Sequence, residues 1–153
     1  MKREAWLVDT SVITYARGKD HPYKAACARI LLEIAGGFFA REHGVPVVDT
    51  EVFQEILYRY GMEQKWETAV AVCQDLLAIG LRVLAVGRPE VETMIDLAEK
   101  YGRRGVRPRD LVHAAVMVRN GIRRIITADT HFDLIEEVER IDPLSFPAKG
   151  MEI

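Results

Sequence analysis

Short runs of apolar and β-branched residues alternate along this chain with longer stretches of helical periodicity. Such alternation is typical of βα units, in which parallel strands form a central sheet and the connecting helices cover both of its faces. The sequence therefore predicts an α/β fold with a parallel sheet of four to five strands. Because a length of 153 residues is close to the modal size of a domain, we expect residues 1–153 to form a single domain.

The predicted strands are residues 5–9, 45–48, 81–86 and 124–127, with a weaker fifth strand at 141–146 that contains Pro143. The predicted helices are a short one from residue 11, then residues 22–35, 50–60, 63–79, 89–101, 108–120 and 132–139. Pro89 and Pro108 open two of these helices, and glycines follow several others, as is common at helix ends. Residues 111–118 are apolar nearly all round, so we expect that helix to be buried.

Composition excludes several classes of protein. A formal net charge of −2 excludes a highly basic protein that coats nucleic acid. The sequence contains only 11 Gly and 6 Pro, and 49% of its residues are hydrophobic, which excludes collagen-like and disordered chains. No segment approaches the ~20 apolar residues of a membrane span. The first apolar run is too short for a signal peptide and is interrupted by Asp9. Cys27 and Cys73 are isolated, which favours a cytosolic protein without disulfides or a cysteine metal site.

Four acidic residues fall near predicted strand ends or helix starts. Asp9 ends the first strand, Asp129 follows the fourth, Asp110 opens the buried helix, and Glu55 lies on the helix after the second strand. In open α/β sheets, active groups gather at the carboxyl ends of strands. Each acid also has an ordinary explanation: Asp9 and Asp129 as helix caps, Asp110 in a first helical turn, Glu55 on an exposed face. Glu55 lies nearer the apolar stripe of its helix than Glu51, so it is the better candidate of the two.

If these acids converge, the chemistry of the cluster is narrow. Four carboxylates in one cleft repel one another unless a divalent cation neutralises them. Oxygen ligands without clustered Cys or His favour Mg²⁺ or Mn²⁺. Such a site can activate a water for in-line attack on a phosphodiester. Three hydroxyls are candidates to support the ligands, with helix capping as an equal alternative: Thr10, Ser11 and Thr127.

Residues 101–109 form a dense basic cluster. Its arginines are Arg103, Arg104, Arg107 and Arg109. An acidic cleft repels a phosphate backbone, so a nuclease needs cations at the rim of its site, and this cluster can supply them. The alternative is an ordinary solvated loop. We further expect Arg109 to pair with Glu55 or Asp110.

The four segments LVDTSV (7–12), VFQEIL (52–57), RDLVHAAV (109–116) and ITADTHFD (126–133) occur in the order found in one family. With them the chain resembles the PIN-domain ribonucleases, specifically the toxins of VapBC-type toxin–antitoxin pairs. The resemblance implies a Mg²⁺- or Mn²⁺-dependent endoribonuclease, an RNA substrate, a small antitoxin partner and a homodimer. Its acidic cluster maps to Asp9, Glu55, Asp110 and Asp129, with Asp133 as an additional metal-site acid and Thr127 as the polar residue before Asp129.

Two histidines lie in or beside these motifs. His113 lies three residues after Asp110 on the same helical face, and a packed core histidine is favoured there over a catalytic base. His131 follows Asp129, and the sequence assigns it no function.

Other functions remain open at this point. The chain is alternatively a non-catalytic PIN-like module that binds RNA or protein, or a PIN nuclease of RNA processing rather than a toxin; the intact acidic set argues against the first. A haloacid-dehalogenase-type phosphatase is a poor fit, because its second Asp is replaced by Ser11. A phospho-receiver is a poor fit too, because no paired acid stands beside Asp9.

Overall fold

The computed structural model describes residues 3–146. Within this range the strands are β1 (Ala5–Val8), β2 (Val45–Asp49), β3 (Arg82–Leu84), β4 (Arg124–Ile126) and β5 (Glu139–Ile141). The α-helices are α1 (Thr10–Arg17), α2 (Lys24–Ala35), α3 (Phe38–Glu42), α4 (Thr50–Met62), α5 (Trp66–Ala78), α6 (Arg88–Tyr101) and α7 (Pro108–Arg119). Short 3₁₀ turns lie at Gly102–Arg104, Thr130–Leu134 and Pro143–Ser145.

The five strands form one parallel sheet in the order β3-β2-β1-β4-β5. β2 pairs with β1, and β3 pairs with the far side of β2. The chain then crosses to the other side of β1, where β4 pairs with β1 and β5 pairs with β4. The order therefore reverses between β1 and β4, which is where open α/β sheets form their binding crevice. This topology confirms the predicted α/β fold with a parallel sheet.

Side chains that alternate along β1 divide the core into two layers. Val8 belongs to the layer packed under α1 to α5, whereas Leu7 packs on the opposite face with α6 and α7. Helices thus cover both faces, as predicted. The predicted burial of the 111–118 helix is also confirmed, since Ala114 and Val116 on α7 are fully buried. Among the described residues, no helix is long and apolar enough to cross a membrane.

The predictions fail mainly after β4. The predicted helix 132–139 is wrong, because the segment forms a 3₁₀ turn at Thr130–Leu134 and then β5. The fifth strand comes earlier than predicted and ends at Ile141. Pro143 cannot donate to a strand ladder, and it opens a further 3₁₀ turn instead. Helix α3 was not predicted.

Gly44 lies where the chain enters β2. Its φ of +148° is in the region that favours glycine, and a Cβ there would overlap the carbonyl oxygen of Glu4. The same carbonyl accepts the Val45 N–H at 2.8 Å, which begins the pairing of β2 with β1. A side chain at Gly44 therefore opposes the first contact between the two strands.

We expect Gly44→Ala to lower the free energy of unfolding by about 2 kcal/mol or more, because it combines backbone strain with a backbone overlap. Denaturant unfolding measures the change. Gly102→Ala is the matched control, since a Cβ at Gly102 meets open space, and its effect should stay within about 0.5 kcal/mol. Equal unfolding midpoints for the two variants would contradict the assignment.

Candidate active site

Two neighbouring strands end in the same way, with an aspartate that also begins the next helix. Asp9 follows β1 and accepts the Ser11 N–H at 3.4 Å, capping α1. Asp49 ends β2 and caps α4, accepting the Glu51 N–H at 3.0 Å. Both carboxylates are buried at the carboxyl edge of the sheet. Asp49 was missed from the sequence, although VVDT at 47–50 repeats the pattern LVDT at 7–10 and was the signal that could have found it.

The Thr127 hydroxyl joins the ends of β1 and β4. It donates to Asp9 Oδ2 at 2.7 Å and accepts the Asp129 N–H at 3.0 Å. The Ser11 hydroxyl lies 3.2 Å from it. These contacts hold the Asp9 carboxylate and the start of the Asp129 turn in fixed relation. The Thr10 hydroxyl is buried and has no hydrogen-bond partner among the described residues.

A second group of ligand atoms lies beside this link. Asp110 is in the first turn of α7, and Asp129 caps the following 3₁₀ turn by accepting the His131 N–H at 2.9 Å. One ligand atom from each of Asp110, Asp129 and His131 lies within 4.8 Å of the others. Atoms that share one divalent ion at about 2.0–2.6 Å are separated by about 3–5 Å. The donor set and spacing therefore fit a divalent cation.

Arg107 places a positive charge among these three residues. Its Nη2 lies 2.7 Å from Asp129 Oδ2 and 3.2 Å from His131 Nδ1, and its Nε lies 3.7 Å from Asp110 Oδ2. This is the pairing expected of Arg109, and that expectation was wrong: Arg109 is exposed and makes no ion pair with a described residue. Arg107 precedes α7 in extended conformation, which lets its side chain fold back over the first turn.

His113 is fully buried among three further carboxylates. Its Nδ1 lies 2.6 Å from Asp49 Oδ2, and its Nε2 lies 2.6 Å from Glu55 Oε1 and 3.7 Å from Asp9 Oδ1. Burial lowers the pKa of His113, but the hydrogen bonds to Asp49 and Glu55 and the nearby charges raise it well above its usual value. His113 is therefore an imidazolium, because only the protonated ring can donate to Asp49 and Glu55 at the same time. His113 is buried, as predicted. It is more than a packed core residue, because its ring contacts carboxylates of the candidate site.

The two carboxyl groups beside Arg107 titrate differently. Burial and the charge of Asp129 raise the pKa of Asp110. Burial also opposes ionisation of Asp129, but hydrogen bonds from His131 and the charge of Arg107 hold its pKa below the usual value. A cation bound beside Asp110 would oppose the rise in its pKa, because it would offset the charge of Asp129.

The remaining predicted residues lie around this centre. Asp133 is exposed and bonded to Arg140 Nε at 3.0 Å, outside the set formed by Asp110, Asp129 and His131. Arg103 and Arg104 are exposed in the 3₁₀ turn that leads to Arg107, and the Arg104 guanidinium stacks over a tyrosine ring. Both arginines therefore lie exposed just ahead of α7, and their predicted contact with RNA stays a prediction.

Comparison with known proteins settles the family. Residues 6–138 match the PIN domain. The chain belongs to the PIN-domain family. Ribonuclease VapC13 of Mycobacterium tuberculosis is 30% identical over 135 residues, which cover 88% of this chain and 98% of that protein. Ribonuclease VapC23 of the same species is 32% identical over 127 residues, covering 80% and 91%.

Solved structures of VapC and VapBC proteins share the fold. Mycobacterium tuberculosis VapC20, described as a sarcin-ricin loop cleaving toxin, aligns with a TM-score of 0.69 at 20% identity over 86% of this chain and 95% of its own. The DNA-bound VapBC of Salmonella typhimurium aligns with a TM-score of 0.68 at 16% identity, covering 92% and 98%. The resemblance inferred from the four sequence segments is confirmed.

The raised pKa of His113 predicts a pH-dependent stability for this PIN domain. A group whose pKa is higher in the folded state stabilises the fold fully below its unfolded pKa, and the contribution disappears as pH rises through the folded pKa. We therefore expect His113→Gln to cost more free energy of unfolding at about pH 6 than at about pH 9. Denaturant unfolding across this range measures it.

The same comparison in an Asp49→Asn background is the control, because that change removes one of the two carboxylates that lie 2.6 Å from the His113 ring. The pH dependence of the His113→Gln cost should then shrink. A cost that is equal at every pH, or one that is smaller at about pH 6, would contradict a raised pKa of His113 in the fold.

Proposed function

We propose that this protein is a metal-dependent endoribonuclease and the toxin of a VapBC-type toxin–antitoxin pair. The observation that carries the proposal is the gathering of the Asp9, Asp110 and Asp129 carboxylates at the point where strand order reverses. VapC relatives that carry the name ribonuclease and align over most of the chain support RNA as the substrate. We assign the catalytic role to Asp9, Glu55, Asp110 and Asp129.

Asp110 and Asp129 are the residues that would hold the ion, with Asp9 beside them. A bound Mg²⁺ or Mn²⁺ supplies an activated water and offsets charge on the leaving oxygen. The chain itself does the positioning: the Thr127 hydroxyl fixes Asp9, and His113 fixes Glu55. Because Asp9 and Asp110 are buried, little water competes for their oxygens.

We propose that RNA approaches over the exposed arginines ahead of α7. Arg103 and Arg104 offer guanidinium groups to the backbone phosphates, and Arg107 can exchange its carboxylate partners for a phosphate. These cations offset the field of the acidic cluster at the place where the substrate must enter.

A small antitoxin is the partner that we propose. The fold neighbours include toxin–antitoxin complexes, such as VapBC-1 of nontypeable Haemophilus influenzae. Helices α4 and α5 expose large apolar side chains: Tyr58, Met62, Trp66, Val70 and Leu77. Exposed apolar patches of this kind are typical of protein contact surfaces. They offer area both for an antitoxin segment and for a homodimer.

We expect Asp9→Asn and Asp110→Asn each to lower Mn²⁺- or Mg²⁺-dependent cleavage of single-stranded RNA by at least about a hundredfold, the order of magnitude for loss of one electrostatic stabiliser. Neither should lower the melting temperature, since each removes a charge from a repelling group. Asp96→Asn, on the exposed part of α6, is the matched control and should cleave as the parent does. Full activity in both site variants would refute the proposal, and tight RNA binding without metal-dependent cleavage by the parent would favour the non-catalytic module.

We expect the double change Arg103→Gln and Arg104→Gln to weaken RNA binding and to reduce its salt dependence. Each lost phosphate contact should lower the slope of log affinity against log salt by about 0.7. Binding is measured in an Asp9→Asn background, in which RNA is not cut. Arg82→Gln is the control, because Arg82 lies on β3, at the edge of the sheet away from β4 and β5. An unchanged slope in the double variant would place the RNA path elsewhere.

A further inference from the structure

The His131 imidazole occupies an unusual position between a carboxylate and a cation. Its Nδ1 lies 2.7 Å from Asp129 Oδ1 and 3.2 Å from Arg107 Nη2. An imidazole nitrogen carries either a proton or a lone pair, so it cannot donate to Asp129 and accept from Arg107 in the same state. The shorter contact favours the tautomer in which Nδ1–H donates to Asp129. The other tautomer directs the Nδ1 lone pair, which is the group that binds metal ions, toward Arg107 and the space between the two carboxylates.

The Arg107 guanidinium is surrounded by three acceptors that are also suited to a metal. Its nitrogens meet Asp129 Oδ2 at 2.7 Å, His131 Nδ1 at 3.2 Å and Asp110 Oδ2 at 3.7 Å. The same three residues present ligand atoms within 4.8 Å of one another. A divalent ion and the guanidinium therefore compete for one set of acceptors.

We propose that His131 is a ligand of the divalent ion, and that its nitrogen makes this site favour Mn²⁺ and Co²⁺ over Mg²⁺. The proposal rests on the metal-dependent function proposed above and extends it to the choice of ion. Imidazole nitrogen suits the later first-row metals, whereas Mg²⁺ prefers oxygen ligands. A site of two carboxylates and one imidazole thus differs from the all-oxygen site that the sequence predicted.

His131 is a good residue for a direct test because its side chain is 43% exposed and its removal leaves the core intact. Electron spin-echo spectra of Mn²⁺ bound to the full-length protein report coupling to a ligated imidazole nitrogen. The parent should show this coupling, and His131→Asn should abolish it. His21→Asn is the control, since that exposed imidazole stacks with Tyr15 and Tyr23 and lies in none of the contacts described for the metal site.

Calorimetric titration with each ion tests the preference. His131→Asn should weaken Mn²⁺ and Co²⁺ binding by about tenfold or more, because mutating a residue that only supports a metal ligand already lowers metal affinity by about that much. Mg²⁺ affinity should change by less than about threefold, because an oxygen donor replaces the nitrogen. An equal loss for all three ions would overturn the preference.

Arg107→Gln tests the competition between guanidinium and ion. Removing the positive charge should tighten Mn²⁺ binding severalfold, and an unchanged or weaker affinity would overturn this part of the inference. The outcomes also separate the two proposals. A parent that cleaves RNA with Mn²⁺ but shows no nitrogen coupling overturns the role of His131 and leaves the nuclease standing, whereas a parent that binds no divalent ion overturns both.

Discussion

Repulsion among carboxylates at the carboxyl edge of the sheet is the constraint that organises this protein. The cluster is divided between two positive groups. His113, fully buried, is bonded to Asp49 and Glu55. Arg107, near the surface, is bonded to Asp129. A buried cation held by two hydrogen bonds is costly to remove, because it leaves its partners unpaired. A guanidinium that is 45% exposed can be exchanged. The site therefore has a permanent internal counterion and a replaceable outer one.

The sheet topology itself brings these groups to one place. Parallel strands end at one edge of the sheet, and the reversal of order between β1 and β4 places Asp9 next to Thr127. The sequence offered helix capping and membership of the site as alternatives for these aspartates. In the structure one carboxylate serves both roles. Asp9 accepts the Ser11 N–H and the Thr127 hydroxyl together, and Asp129 caps its turn while facing Arg107. A carboxylate has enough lone pairs for both tasks.

The fold and most of the candidate acids follow from the sequence because they depend on local patterns. Apolar runs, glycines and prolines define the βα units, and four motifs place Asp9, Glu55, Asp110 and Asp129. The contacts of His113 could not be derived in this way, since Asp49 is 64 positions away and the meeting depends on how α4 and α7 pack. Similarly, spacing alone does not distinguish Arg107 from Arg109, because the difference lies in whether the residue precedes the helix or belongs to it. After β4 the helical pattern of the sequence is replaced by a 3₁₀ turn, in which Phe132 is buried in the core layer with α6 and α7.

We propose the carboxylates beside Arg107 as the divalent-cation site of this PIN-domain nuclease. Anomalous diffraction from a crystal soaked in Mn²⁺ tests it most directly. We expect one strong peak within about 2.0–2.6 Å of oxygens from Asp110 and Asp129, with the Arg107 guanidinium moved away from both. A peak that lies only on surface carboxylates, with Arg107 still bonded to Asp129 at saturating Mn²⁺, would contradict it.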